Sequence, residues 1–182
     1  MSFQFRTLIA VAAVGFGAAV PAALTIDPAN SRVTATFRQM NVPVDGAFTK
    51  VAGAVSFDAT HPEAATARVD IDTSGFDLGM EDYNAEVRKK EWFDSATYPK
   101  ASFVSSAFKP LGGDRYQAVG KLSIKGTSIE VRVPVTVRRE AAATVFEGTL
   151  PVSRKTFGIG DAGWNEVVDD SVSVKFHIVQ PR

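Results

Sequence analysis

A regular alternation of apolar and polar residues constrains the fold of this chain more than any other feature of its sequence. Within the stretch IEVRVPVTVRRE, the apolar positions are Ile129, Val131, Val133, Val135 and Val137, with polar residues or proline between them. A period of two predicts a β-strand with one apolar face and one solvated face. The central question is whether the apolar face contacts another protein layer or a ligand.

The same alternation recurs along the rest of the chain. Turn-forming sequences such as HPE, LGGD, KGT and GIGDAG separate the alternating segments. About eight strands at near-regular spacing predict an all-β domain, either an antiparallel barrel or a sandwich. Besides the stretch quoted above, the predicted strands lie near residues 33–37, 51–57, 68–72, 100–108, 116–125, 144–152 and 171–179.

Pro134 interrupts the strongest of these strands. Proline has no backbone N–H and therefore cannot donate to a neighbouring strand at that position. We expect a bulge or a seam of the barrel at Pro134.

Residues 80–93, MEDYNAEVRKKEWF, depart from the alternation and are rich in helix-forming residues. Acidic residues stand near the start of this segment and basic residues near its end, which suits the helix dipole. The segment predicts one short helix that caps an end of the barrel. Three of its side chains are expected to face the interior: Tyr83, Val87 and Trp92.

The N-terminal segment has the pattern of a secretory signal peptide. Arg6 precedes an apolar run over residues 7–20, and the small residues PAA follow. The run is shorter than the roughly 20 residues that a membrane-spanning helix needs. We predict a cleaved signal peptide over residues 1–22 and a single domain over residues 23–182. The absence of cysteine excludes disulfides, so an exported chain of this kind depends on hydrophobic burial, and it suits a bacterial periplasm.

Charge and motifs argue against several other functions. The chain has 20 basic and 20 acidic residues without a basic cluster, so no nucleic-acid partner is predicted. The GIGDAG sequence has the spacing of a dinucleotide fingerprint, but a helix is not predicted after it, and a hairpin loop is expected. His61 and His177 are far apart in sequence and there is no cysteine, so no metal site is predicted. No nucleophile motif is present, and we expect a protein that is not an enzyme.

The interior of an eight-stranded barrel is about wide enough for its own side chains or for one slender ligand. Small residues at expected inward positions (Ala35, Gly53, Ala118 and Gly120) leave room, whereas the phenylalanines could fill it. Composition alone therefore leaves open a solid core and a ligand cavity. A cavity would suit long hydrocarbon chains, because each buried CH₂ contributes roughly 0.8 kcal/mol.

Six segments carry a more specific signal. In chain order they are LTIDPANSRVTATFRQM, GAVSFD, EWFDSATYPKASFVSS, YQAVGKLSIKGTSIEVRVPVTV, SRKTFGIG and DDSVSVKFHI. Together they resemble the successive signatures of the YceI-like family of polyisoprenoid-binding proteins, and they cover nearly all of the predicted mature chain. One position departs from the family pattern, because Asn30 stands before Ser31 where the family commonly has histidine.

The resemblance implies an extended, eight-stranded, lipocalin-like antiparallel barrel, usually periplasmic, that holds an isoprenoid or another long-chain lipid in an elongated pocket. Transport or storage of isoprenoid quinones and a stress response are roles that it suggests. The alternatives are a fatty-acid or fatty-amide binder, a lipid-modifying barrel enzyme and an interaction module with a solid core. The expected partners are a long-chain lipid and, transiently, a membrane; a homodimer is compatible with the sequence.

The alternation of inward and outward positions then predicts the residues of the pocket. Asn30, Arg154 and Lys155 are candidates for contacts with a polar head group, although a solvated hairpin base is an alternative role for Arg154 and Lys155. The predicted lining residues are Phe37, Val55, Val69, Ile71, Phe103, Leu122, Ile124, Val133, Val135, Val174 and Phe176.

Overall fold

The computed structural model describes residues 24–182, so the predicted signal peptide over residues 1–22 lies outside the described residues. Within the described part, eleven strands and one α-helix form a single antiparallel sheet with a helical cap. The helix α1 covers Glu81–Val87. The strands are β1 (Leu24–Thr25), β2 (Arg32–Gln39), β3 (Val42–Phe48), β4 (Val51–Ser56), β5 (Thr66–Asp72), β6 (Phe76–Asp77), β7 (Lys100–Gly112), β8 (Arg115–Ile124), β9 (Thr127–Arg139), β10 (Ala143–Ser153) and β11 (Ser171–Pro181).

The strands follow the order β1-β4-β5-β7-β8-β9-β10-β11-β2-β3-β6 across the curled sheet. Strands β7 to β11 form a meander of consecutive antiparallel neighbours, and β11 then pairs with β2. Backbone bonds just after β1 join this edge of the sheet to two other strands: Ile26 donates to the carbonyl of Gly53 in β4, and Asp27 donates to that of Val179 in β11. The predicted all-β antiparallel class is confirmed, with more strands than expected.

The sequence prediction missed β3 and the two-residue strands β1 and β6. Strand β3 contains Pro43, Asp45 and Gly46, three residue types that are depleted in strands. It nevertheless pairs with β2 along its whole length, because Met40 and Asn41 adopt positive φ angles of 50° and 66° and make a tight hairpin. Hairpin geometry therefore outweighs the composition of the strand.

The helix is shorter than the predicted residues 80–93, since α1 ends at Val87 and the residues after it form turns. Asp94 has a φ of 48°, and the Phe93 N–H donates to the Val87 carbonyl. Val87 and Trp92 are buried as predicted. The inward orientation predicted for Tyr83 is wrong, because that side chain is 55% exposed. Asn84 is buried instead. Its side-chain oxygen accepts from the N–H of Leu78, and its side-chain nitrogen donates to the carboxylate of Asp77.

Pro134 causes no bulge. The ladder between β8 and β9 runs through the pair Gln117–Pro134 without a register shift. Register shifts occur instead on β7, in its ladder with β8. The ladder between β9 and β10, however, ends at the pair Thr136–Glu147, close to Pro134. The proline therefore lies just beyond the last ladder pair of these two strands, which agrees with the expected seam.

Aromatic rings cover several glycines of the inner surface. A Cβ atom on Gly120 would lie 2.7 Å from Cζ of Phe103 and 2.4 Å from the backbone oxygen of Val104. Phe176 lies in the same way against Gly148 of the neighbouring strand. Glycine at these positions therefore makes room for a phenylalanine ring rather than for a ligand.

This packing predicts the effect of Gly120→Ala. The added methyl group would overlap a backbone carbonyl that cannot move without the strand, so we expect a loss of about 1–3 kcal/mol in the free energy of unfolding. Gly163→Ala is the control, since its nearest neighbour is the exposed Asp161 carboxylate at 3.2 Å. Urea unfolding of both variants checks the prediction, and equal stabilities would contradict it.

Among residues 24–182, no helix has the length and apolar character that crossing a membrane would require.

Candidate functional site: two joined apolar cavities

The curled sheet encloses two neighbouring apolar cavities of about 130 Å³ and about 150 Å³. Residues of β2, β4, β5 and β7 to β11 line the first cavity, and the second lies towards α1 and the loop after β10. The two cavities share part of their walls, so we regard them as compartments of one elongated site. The six shared residues are Val69, Ile71, Phe103, Leu122, Leu150 and Val174.

All eleven predicted lining residues face these cavities. Val55, Val133, Val135 and Phe176 line the first cavity, whereas Phe37 and Ile124 line the second. The remaining five belong to the shared wall: Val69, Ile71, Phe103, Leu122 and Val174. The structure thus brings the predicted residues together, and their contact with a ligand stays a prediction.

Aromatic rings pack around each compartment. Beside the first, Phe57 packs edge-on against Phe108, Tyr116 and Phe146, with ring centroids 6.0, 5.1 and 5.6 Å apart. Beside the second, three more rings pack together, and Phe48 and Phe76 have centroids 4.6 Å apart. These rings limit the length of the apolar space. The three rings of the second group are Phe48, Phe76 and Phe93.

The walls of the first cavity consist entirely of alanine, valine, leucine, isoleucine and phenylalanine. Among the residues around the second cavity, only Trp92, Ser102 and Arg154 have polar side-chain atoms. Such walls can hold hydrocarbon by burial, at roughly 0.8 kcal/mol for each CH₂ group. They offer little with which to recognise a polar group by hydrogen bonding.

Arg154 is 2% exposed, so its predicted alternative role as a solvated hairpin base is wrong. Its guanidinium donates to the carbonyls of Asp169 (3.0 Å), Ile159 (2.9 Å) and Val168 (2.7 Å). Longer bonds of 3.3 Å reach the Trp164 carbonyl and the Asn165 side chain. The guanidinium thus ties together the loop between β10 and β11, and a contact with a lipid head group stays a prediction. No sequence pattern indicated this burial, because the acceptors come from a loop that only the fold assembles.

The other two predicted head-group residues lie away from both cavities. Lys155 is exposed, and its backbone N–H donates to the Asp170 carboxylate, a bond that lowers the pKa of Asp170. Asn30 borders a separate depression on the outer surface, and its amide donates to Asp27 at 2.6 Å. The local bond to Asp27 gives Asn30 a structural role in the loop after β1.

The loop after β10 also contacts the tip of the β8–β9 hairpin. Lys125 Nζ donates to the carbonyl of Gly158 at 2.6 Å. Burial lowers the pKa of Lys125, although the carboxylates of Asp94 and Glu91 oppose that effect. Gly158 and Gly160 have φ angles of 62° and 74°, which explains why the GIGDAG loop needs glycine there. The loop has short turns and not the long helix of a dinucleotide site.

No group of three or more histidine, aspartate or glutamate side chains within residues 24–182 is arranged to hold a metal ion.

Comparison with known proteins identifies the family. The model of the YceI-like domain matches residues 24–180, which is nearly the whole described part of the chain. The chain belongs to the YceI-like family. The YceI protein of Escherichia coli is 27% identical over 159 residues, covering 86% of this chain and 79% of its own. A protein of Azotobacter vinelandii called UPF0312 protein is 28% identical over 167 residues, covering 85% of this chain and 87% of its own.

Solved structures agree with this YceI-like assignment. The crystal structure of BcnA from Burkholderia cenocepacia is 46% identical, has a TM-score of 0.82, and covers 85% of this chain and 98% of its own. A polyisoprenoid-binding domain from Saccharophagus degradans, implicated in plant cell wall breakdown, has a TM-score of 0.73 at 18% identity. It covers 88% of this chain and 99% of its own, and its similarity shows the fold.

Proposed function

We propose that this YceI-like protein binds a long-chain polyisoprenoid lipid non-covalently in its two joined cavities. The observation that carries the proposal is the elongated apolar space whose compartments share six hydrocarbon side chains. A slender chain threaded through both compartments would bury more methylene and methyl groups than either compartment alone. The domain from Saccharophagus degradans, which has the same fold, supports the isoprenoid class because it is described as polyisoprenoid-binding.

We further propose that the protein transports or stores this lipid in the periplasm and is not an enzyme. The side chains that line the two cavities include no carboxylate and no histidine that could transfer a proton to a lipid. The predicted signal peptide supports the location. An isoprenoid quinone or polyprenyl lipid would then be shielded from water between membranes.

The test is organic extraction of the full chain after purification without detergent from the periplasm of its own cells, followed by mass spectrometry. We expect a near-stoichiometric isoprenoid in the extract. A fatty acid or fatty amide in its place would keep the lipid site and replace the isoprenoid class. An empty extract, repeated after incubation with an isoprenoid quinone in vitro, would contradict the proposed function.

A further inference from the structure

Two long neighbouring strands of the sheet stop forming ladder pairs where they pass the cavities. Strands β9 and β10 form only four ladder pairs, from Thr144 opposite Arg139 to Glu147 opposite Thr136. Beyond that point β9 continues over residues 127–135 and β10 over residues 148–153, and no ladder pairs are formed between these two stretches within the described chain. We call this gap the β9–β10 fork. On their other sides, both stretches stay in continuous ladders with β8 and β11.

A proline stands on each side of the fork. Pro134 and Pro151 both lie inside continuous ladders with their outer neighbours, opposite Gln117 and Ser173 respectively. Since proline has no N–H to give to those ladders, its nitrogen faces the other edge of its strand, which here is the fork. At its proline, each strand therefore lacks a backbone N–H that could donate to the strand across the fork. Prolines of this kind keep exposed strand edges from pairing.

The fork runs along the wall of the proposed lipid site. Val133 and Val135 of β9 line the first cavity, Val152 of β10 lines the second, and Leu150 of β10 lines both. A parting of these two strands would therefore open the side of the apolar space. At the edge formed by β1, by contrast, the N–H groups of Ile26 and Asp27 donate to carbonyls of β4 and β11.

One side-chain bond spans the open end of the fork. Lys125 lies in the hairpin that joins β8 to β9, and Gly158 lies in the loop that follows β10. The bond from Lys125 Nζ to the Gly158 carbonyl thus connects the two sides of the fork beyond the last ladder pair. A single lysine bond to a backbone oxygen can break and reform without disturbing either ladder.

We propose that the β9–β10 fork is the lateral entrance of the lipid site and that the Lys125–Gly158 bond is its latch. This inference rests on the proposed function. A lateral opening suits a long hydrocarbon, because the chain can leave sideways without pulling its full length through the end of the barrel. The two prolines keep the fork from closing into a ladder, and the latch sets how often the strands part.

The latch is tested with Lys125→Met, which keeps an unbranched apolar stem of similar length and removes the donor. Lys121→Met is the matched control, since Lys121 is an exposed residue of β8, the strand that leads into the hairpin of Lys125. Each protein is loaded with an isoprenoid quinone, and its transfer to phosphatidylcholine vesicles is followed in a stopped-flow or flotation assay. Losing one such bond is expected to speed release by about three- to tenfold, with no change for Lys121→Met.

A second experiment closes the fork covalently. The chain has no cysteine, so Arg132→Cys with Thr149→Cys places a unique pair of thiols on the exposed faces of the two fork strands, to be joined by a short bis-maleimide. Thr149→Cys with Lys175→Cys is the control, because these positions are ladder partners in β10 and β11. We expect at least about tenfold slower release for the fork pair once joined and no slowing for the control.

The outcomes distinguish a failure of the proposed entrance from a failure of the proposed lipid binding. Release at the wild-type rate from the joined fork, together with unchanged release from Lys125→Met, would overturn the lateral entrance while leaving lipid binding intact. A wild-type protein that cannot be loaded with quinone or with any other long-chain lipid would overturn the proposed function itself.

Discussion

Replacing Arg154 by methionine is expected to lower the free energy of unfolding by about 3–5 kcal/mol. The substitution keeps much of the apolar stem beside the second cavity and removes the guanidinium that binds the carbonyls of Ile159, Val168 and Asp169. These oxygens are held inside the loop between β10 and β11, where each unsatisfied acceptor carries a desolvation cost. Chemical denaturation followed by tryptophan fluorescence measures the loss, since Trp164 lies in the same loop.

Lys155→Met is the matched control for this prediction. Lys155 is the next residue in the chain but is exposed, and its contact with Asp170 is made by its backbone N–H, which methionine retains. We expect a change within about 0.5 kcal/mol. Equal effects of the two substitutions would show that the buried guanidinium contributes no more than an exposed charge does.

Val174→Phe is expected to reduce lipid affinity by tenfold or more, the largest effect on binding that we predict. Val174 is one of the six residues shared by both cavities, so a ring at this position would block the passage between them. A long chain would then be confined to one compartment, and each methylene group left outside would forfeit roughly 0.8 kcal/mol. Titration of the lipid-free protein with an isoprenoid quinone measures the affinity.

The control for Val174→Phe is the same substitution at Val104, which is 40% exposed on β7. Its neighbours in the ladders are Arg68 and Lys121, so an added ring there meets solvent and charged side chains. We expect unchanged affinity for Val104→Phe and a similar melting temperature for both variants, because the ring at residue 174 enters existing space. Normal affinity in folded Val174→Phe would mean that the lipid does not pass through the shared wall.

The alternation of apolar and polar residues was sufficient to predict most of the sheet and eleven of the residues that line the cavities. Val133 and Val135, for example, were placed on an inner face by parity, and both line the first cavity. Parity succeeds because the side chains of a strand point to opposite faces in turn. The alternation could not predict Phe48 or Phe76, which line the second cavity, because their strands β3 and β6 were not predicted.

The functions of charged and helical residues were harder to predict, for a different physical reason. The burial of Arg154 depends on carbonyls up to 15 positions away in the chain, and their arrangement follows from the path of a loop. The segment after Val87 has the composition of a helix, but its backbone turns at Asp94 so that Trp92 can enter the core. Local propensity is a weak guide wherever tertiary packing of this kind competes with it.

The pairing of β2 with β11 also bears on the order of events during synthesis. Val33 lies opposite Phe176, so the ladder that joins these strands cannot form until nearly all of the domain has left the ribosome. Contacts between residues so distant in sequence slow folding, because a long loop must close before the contact stabilises the chain. In a protein exported as we propose, this delay would keep the nascent chain in an unfolded, translocation-competent state until it has crossed the membrane.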